Sequence, residues 1–239
     1  MPVIEVENLV KTYDGANVVD GISFSVEQGE VFGIVGPNGA GKTTTVESVE
    51  GLRRTDGGSI KVLGLDPMRD RYEITQRVGA QLQESRLQDK IKVGEALELY
   101  ASFYEHPADW HELLSRLGLE AKADAKYSSL SGGQKQRLAV ALALVGSPEI
   151  AILDELTTGL DPQARRSGWD TIEEIHAAGV TVVLVTHFME EAERLCDRIM
   201  VVDHGRVVAI DTPAGLVERI GSEQRLRFRP SAPIDDGVL

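Results

Sequence analysis

GEVFGIVGPNGAGKTTTVESVEGL, Gly29 to Leu52, changes its period twice in a short span. VFGIV (31–35) is an unbroken apolar run, the pattern of a strand covered on both faces. Val46 and Val49 stand at helical spacing. Between them GPNGAGKT, Gly36–Thr43, matches G-x-x-x-x-G-K-[ST]. In such a loop glycine-supported backbone amides surround phosphate oxygens, the lysine contacts the terminal groups, and the last hydroxyl reaches a magnesium ion. The helix that follows turns its positive end to the anion. The candidate cradle is therefore Gly36, Pro37, Asn38, Gly39, Ala40, Gly41, Lys42, Thr43 and Thr44, with Thr43 as a metal ligand. A glycine-rich turn with a merely solvated lysine is the plainer alternative, and the flanking strand and helix argue against it.

Two further stretches extend the same chemistry. IAILDE, Ile150–Glu155, is a second buried-strand pattern that delivers Asp154 to a carboxyl end, where it can hold magnesium, while Glu155 can accept a proton from an attacking water. LSGGQKQR, Leu130–Arg137, has no metal ligand and no nucleophile, yet Ser131 can cap a helix beginning near Gln134. Gly132 and Gly133 remove the side chains that would keep a phosphate from the backbone. A second anion site is expected there, with an ordinary serine cap as the alternative.

The remaining pattern sets these pieces in an α/β frame. Near the start, VIEVENLV and ISFSVEQGE alternate with the strand period, which suggests an antiparallel layer. Val93, Leu97, Tyr100 and Tyr104, then Trp110, Leu113, Leu114 and Leu117, repeat at helical spacing, so the middle of the chain reads as helical. GVTVVLVTH is another covered strand, and RIMVVDHG with RVVAID forms a hairpin at His204-Gly205. Parallel sheets of this kind bind ligands at the carboxyl ends of their strands.

Composition narrows the partners. The 239 residues carry 38 acidic and 25 basic side chains, a net charge of −13 that repels nucleic acid and anionic lipid. The single cysteine, Cys196, excludes an internal disulfide and suits a reducing compartment. The longest apolar run, AVALALV (139–145), is far short of the roughly 20 residues that cross a bilayer. A membrane role would have to come from another polypeptide.

LSGGQKQR, set after a P-loop, resembles the signature sequence of the ATP-binding cassette (ABC) ATPases, and the family's other stations follow in order over roughly residues 3–220. Tyr13 resembles the aromatic that stacks on adenine, Gln83 in VGAQLQES a glutamine that reaches the metal, Asp161 in TTGLD the D-loop aspartate, and His187 in VLVTH the histidine that holds the γ-phosphate or water. Gln81 is a nearby rival for Gln83. The resemblance implies a P-loop NTPase (RecA-like) core with a parallel sheet, an N-terminal antiparallel β layer and an inserted α-helical subdomain at about 84–145. Residues 1–221 would form the cassette and 222–239 a tail or the start of an accessory domain, where QRLRFRP (224–230) alternates like a strand. It also implies ATP and Mg2+, a second ABC ATPase subunit in a homodimer closed by ATP, and Ser131, Gly132, Gly133 and Gln134 gripping nucleotide held by the partner. The site would sit in the cytoplasm, held to the inner face of the membrane by separate permease subunits that the helical section contacts. FMEEAERLCDRIMVVDHGRVV and TTGLDP look like the branch serving drug, antibiotic or polymer exporters. A soluble cassette ATPase acting on DNA or ribosomes is the rival, and such proteins usually add coiled coils or a second cassette; a P-loop kinase or GTPase would not need LSGGQ. One departure stands out: family members commonly place a proline after the glutamate, where this chain has Leu156, which leaves the backbone at Glu155 less restricted.

Overall fold

The computed structural model describes residues 1–81 and 87–220. Gln83 and the segment 224–230 lie outside the described residues.

Strands β1 (Pro2–Tyr13) and β2 (Ala16–Glu27) form the antiparallel hairpin that the alternation predicts. Asp14 and Gly15 both adopt positive φ, 49° and 81°, as a two-residue hairpin turn compatible with strand twist requires. After β3 (Val31–Val35) and α1 (Lys42–Val49), β4 (Gly57–Val62) returns to the other edge of β1, giving a three-stranded layer in the order β2-β1-β4. Helix α2 (Arg71–Arg77) leads into β5 (Val78–Gln81). The middle of the chain is helical, as its spacing predicts: α3 (Val93–Ala101), α4 (Trp110–Arg116) and α5 (Gly132–Leu144), with two single 3-10 turns between the last two. Then come β6 (Ile150–Asp154), α6 (Pro162–Ala177), β7 (Thr181–Thr186), α7 (Met189–Leu195), β8 (Arg198–Asp203), β9 (Arg206–Asp211) and α8 (Pro213–Ile220).

The main sheet runs β5-β6-β7-β3-β8-β9, parallel throughout except for the last strand. Every residue of β3, β6 and β7 is buried, which explains their unbroken apolar runs. One face packs on Leu97, Leu114 and Leu138 of the helical section. The other packs on Ile4, Ile22 and Val46 of the antiparallel layer and α1. Because β6, β7 and β3 are neighbours, their carboxyl ends set Glu155, His187 and Gly36 along one edge, and a ligand there meets three loops at once.

One boundary differs from the sequence expectation. Helix α5 starts at Gly132, two residues ahead of Gln134. Ser131 is its N-cap, and Gln134 completes a reciprocal capping box: Ser131 Oγ accepts from the Gln134 amide at 3.3 Å, and Gln134 Oε1 accepts from the Ser131 amide at 2.9 Å. The capping energy outweighs the poor helix propensity of two glycines, so both lie inside the first turn.

Candidate nucleotide-binding site

Two of the cradle's three glycines, Gly36 and Gly41, are demanded by their neighbours, while Gly39 has open space around it and φ +81°. A side chain at Gly36 would place its Cβ 2.1 Å from the carbonyl of Val202 in β8, and one at Gly41, where φ is +98°, would meet the carbonyl of Val18 in β2 at 2.6 Å. Lys42 is buried at 5% exposure and donates to the carbonyls of Gly36 and Pro37, at 2.9 and 3.1 Å. Burial pushes its pKa down, against the pull of Glu155 and Asp154. The lysine is thus curled over its own loop, with hydrogen bonds it can exchange for phosphate oxygens. A cavity of about 280 Å³ opens here, lined by Val18, Asn38, Gly39, Gly41, Lys42, Thr43, Thr44 and Glu155. Val18 is a wall that sequence reading missed, since nothing in a strand pattern says which strand roofs a distant loop. Tyr13 lies outside that lining, at the end of β1 and 37% exposed, with Arg53 donating to its hydroxyl at 2.8 Å.

Asp154 closes the floor. Its Oδ2 accepts from Thr43 Oγ1 at 3.2 Å, whereas Oδ1 is buried and has no hydrogen-bond partner among the described residues. Burial raises its pKa to about 6, opposed by the Thr43 hydrogen bond and reinforced by the charge of Glu155. An orphaned hard oxygen beside a hydroxyl fits a magnesium ion, which would satisfy that atom. Among the described residues no three His, Cys, Asp or Glu side chains are grouped to hold a metal. Magnesium would have to complete its shell with phosphate oxygens and water, its usual habit.

Glu155 and His187 meet at the mouth. His187 Nδ1 stands 3.3 Å from Glu155 Oε1, with side-chain exposures of 30% and 12%. Glu155 has φ 52°, unusual for this residue type, and its amide donates to the carbonyl of Val185 at 2.9 Å. Leu156 is buried at 1%, so packing anchors the loop immediately after Glu155.

The second candidate anion site is built differently. Ser131, Gly132 and Gly133 line a cavity of about 500 Å³ together with Leu160, Asp161 and Ala164. Asp161 caps α6, accepting from the amides of Gln163 and Ala164 at 3.0 and 2.9 Å. The structure therefore brings Asp161 to the Ser131 tip, and the cavity there shares no lining residue with the one at the P-loop. A Cβ at Gly132 or Gly133 would find only ordinary contacts, 3.9 Å to Leu160 and 3.6 Å to Ala164, and neither glycine has positive φ.

A family model described as ABC transporter matches residues 19–158, which spans both the P-loop and the tip of α5. The chain belongs to the ABC transporter family. Nod factor export ATP-binding protein I of Burkholderia pseudomallei is 46% identical over 221 residues, covering 90% of this chain and 72% of that one. A solved ATP-binding subunit of an ABC transporter superposes with a TM-score of 0.82 at 29% identity, covering 92% and 93% of the two chains. The dimeric structure of a bacterial ABC transporter cassette gives 0.77 at 27% identity over 88% of this chain and 98% of that one. As an ABC cassette, the chain is an ATP-binding, ATP-hydrolysing subunit that energises a membrane transporter, and its core is the P-loop NTPase fold expected. No helix among the described residues is long and apolar enough to cross a membrane. ABC ATPases of this kind work with transmembrane subunits and dimerise.

Proposed function

We propose that this cassette holds ATP and magnesium in its own P-loop and turns over when Ser131, Gly132 and Gly133 of a second copy close on the γ-phosphate. The observation that carries this reading is the pair of glycines at the tip of α5: their own protomer leaves room for a side chain at both, so bare backbone there serves something brought from outside. The separation of the two cavities agrees. In this cycle Lys42 releases the carbonyls of Gly36 and Pro37 and pairs with phosphate, while the amides of the Gly36–Thr44 loop surround it. Thr43 and Asp154 hold the metal, and Gln83 is expected to join them. Bound magnesium would neutralise charge developing on the transferred phosphoryl group. Glu155 takes a proton from water as its oxygen bonds the γ-phosphorus and the bridging oxygen departs with ADP; His187 orients that water and carboxylate. Asp161 and Gln134 belong to the closing face, and Tyr13 offers a ring to adenine, one that Lys11 and Arg53 already approach at 5.3 and 5.8 Å from its centroid.

The direction is export, supported by the names of the relatives, and a drug-like, antibiotic or polymeric cargo would be chosen by separate permease subunits. Their contact is the helical section, taken as about 84–145 within a cassette of 1–221. Phe103 exposes 61% of its surface there and Tyr72 of the neighbouring helix α2 64%, and the two segments are tied by Tyr72 to Glu105 at 3.0 Å and Gln76 to the Phe103 carbonyl at 3.0 Å. A rigid apolar patch on an acidic chain suits a protein partner. Held in this way, the cassette would lie on the inner face of the membrane. The test is Ser131→Arg in a Glu155→Gln background: with magnesium-ATP the parent should elute as a dimer and the variant as a monomer that still binds ATP. A dimer in the variant would overturn the closure across copies.

A further inference from the structure

Glu191, on α7, is a fully buried acid at 0% exposure that no phosphate-binding motif uses. Its Oε1 accepts two hydrogen bonds from two other elements: Thr157 Oγ1 at 2.9 Å and Trp169 Nε1 at 3.0 Å. Its Oε2 is buried and has no hydrogen-bond partner among the described residues. One oxygen atom thus ties three pieces together. Thr157, itself 0% exposed, sits two residues after Glu155 in the loop that ends at Asp161. Trp169 sits on α6, the helix that Asp161 caps. Glu191 follows His187 by four residues, one helical turn into α7.

The seam is reinforced from both sides. The guanidinium of Arg194 lies 5.0 Å from the Trp169 ring centroid, and that of Arg165 lies 4.3 Å from the ring of Phe188, the neighbour of His187. A Cβ at Gly168 would already press on the Thr157 methyl at 3.2 Å, so α6 runs tight against the loop.

We infer that Glu191 is a positioning residue for hydrolysis: its carboxyl oxygen brackets the Glu155 loop to the helix behind His187 and so holds the 3.3 Å approach of Glu155 and His187. The inference rests on the roles given to those two residues above. A buried acid with one oxygen unpartnered is a costly way to fill a core, and a leucine would fill the volume more cheaply. What it supplies that leucine cannot is a directional link between two loops that must stay in register, and misplacement by about 1 Å can cost on the order of 10²-fold in rate. Because Trp169 shares the same oxygen, a shift of α6 when Asp161 meets a partner copy would be felt at the Glu155 loop.

Thr157→Val keeps size and branching and deletes the donor. In the full chain it should lower kcat about tenfold, leave KM and the Kd for magnesium-ATP within about twofold, and lower Tm by no more than about 5 °C; Thr157→Ser should restore turnover, and Glu191→Gln, which keeps Oε1, should retain more activity than Glu191→Leu. Unaltered kcat in Thr157→Val would overturn the bracket. So would a parallel fall of kcat, ATP affinity and Tm that serine does not repair, since that is a packing defect. Glu155→Gln run alongside separates the two levels: if it turns over normally the catalytic assignment fails, whereas a dead Glu155→Gln with a normal Thr157→Val removes only the bracket.

Discussion

The P-loop and the tip of α5 are both glycine-rich approaches to a helix N-terminus, yet the protein treats their glycines in opposite ways. At Gly36 and Gly41 a methyl group would strike backbone carbonyls of β8 and β2, while at Gly132 and Gly133 it would meet only ordinary contacts. The lysine of the first device is buried and already hydrogen-bonded to its own loop; the serine of the second serves as a cap on an exposed tip. A site whose every constraint is internal is complete within one chain. A site whose bareness nothing internal explains suits half of something, and the difference supports the proposal that the first captures nucleotide and the second closes on it.

The largest effect that tests this division belongs to the residue at the mouth of the first site. Glu155→Gln removes the proposed proton acceptor and leaves Lys42, Thr43 and Asp154 in place. Turnover measured by phosphate release should fall roughly 10²- to 10⁴-fold, with magnesium-ATP affinity retained. A turnover within a few-fold of the parent would take Glu155 out of the reaction.

Next in size is Gly36→Ala. A Cβ 2.1 Å from the Val202 carbonyl forces β3 and β8 apart, which should cost about 3 kcal/mol, seen as a Tm lower by roughly 10 °C together with weakened ATP binding. A variant that keeps the parent Tm would show that the cradle is less constrained by its own fold than this contact implies.

A smaller effect lies at the far end of α1. Glu50, beside the C-terminus of that helix, is 7% exposed with both carboxyl oxygens unpartnered among the described residues. Burial, with the charges of Asp154 and Glu47 adding to it, raises its pKa to about 8. Since the folded value exceeds the unfolded one, this stabilising proton is fully in place below about pH 4.5 and is lost as pH rises through 8. Glu50→Gln should match the parent near pH 4 and exceed it by on the order of 2 kcal/mol at pH 8 in urea unfolding. Equal pH dependence in the two proteins would mean that Glu50 reaches solvent. The far end of α5, by contrast, buries Leu142 and Leu144, so no such dependence is expected of the closing helix.

How far these regions could be read from sequence follows the range of the forces involved. Local signals carried well: the buried runs of β3, β6 and β7, the His204-Gly205 turn and the Ser131 cap are each set within a few residues. Spatial neighbours were not visible in the same way. No pattern within the strand of Val18 says that it roofs the P-loop, and nothing around Glu191 says that it touches Thr157, 34 positions away. Capping also moved the start of α5 to Gly132, because a two-way cap fixes the first turn more strongly than propensity does. The order of the motifs pointed to the chemistry; the two cavities, with no lining residue in common, carry the proposal that it is divided between two places.

The subtlest change sharpens that division most. Gly133→Ala adds one methyl in the first turn of α5, where helix propensity favours alanine by up to about 1 kcal/mol and the nearest atom, on Ala164, is 3.6 Å away. The variant should fold at least as stably as the parent and bind magnesium-ATP with the same affinity, because its own P-loop is untouched. Yet under the proposed closure the methyl would stand where a phosphate carried by the second copy approaches, so ATP-dependent dimerisation and turnover should both weaken about tenfold, roughly 1.4 kcal/mol. Stability and function would then move in opposite directions at one position, the reverse of Gly36→Ala, where they fall together. If Gly133→Ala instead turned over like the parent, the bare tip of α5 would be a matter of helix entry alone, and the second anion site would have to be sought elsewhere.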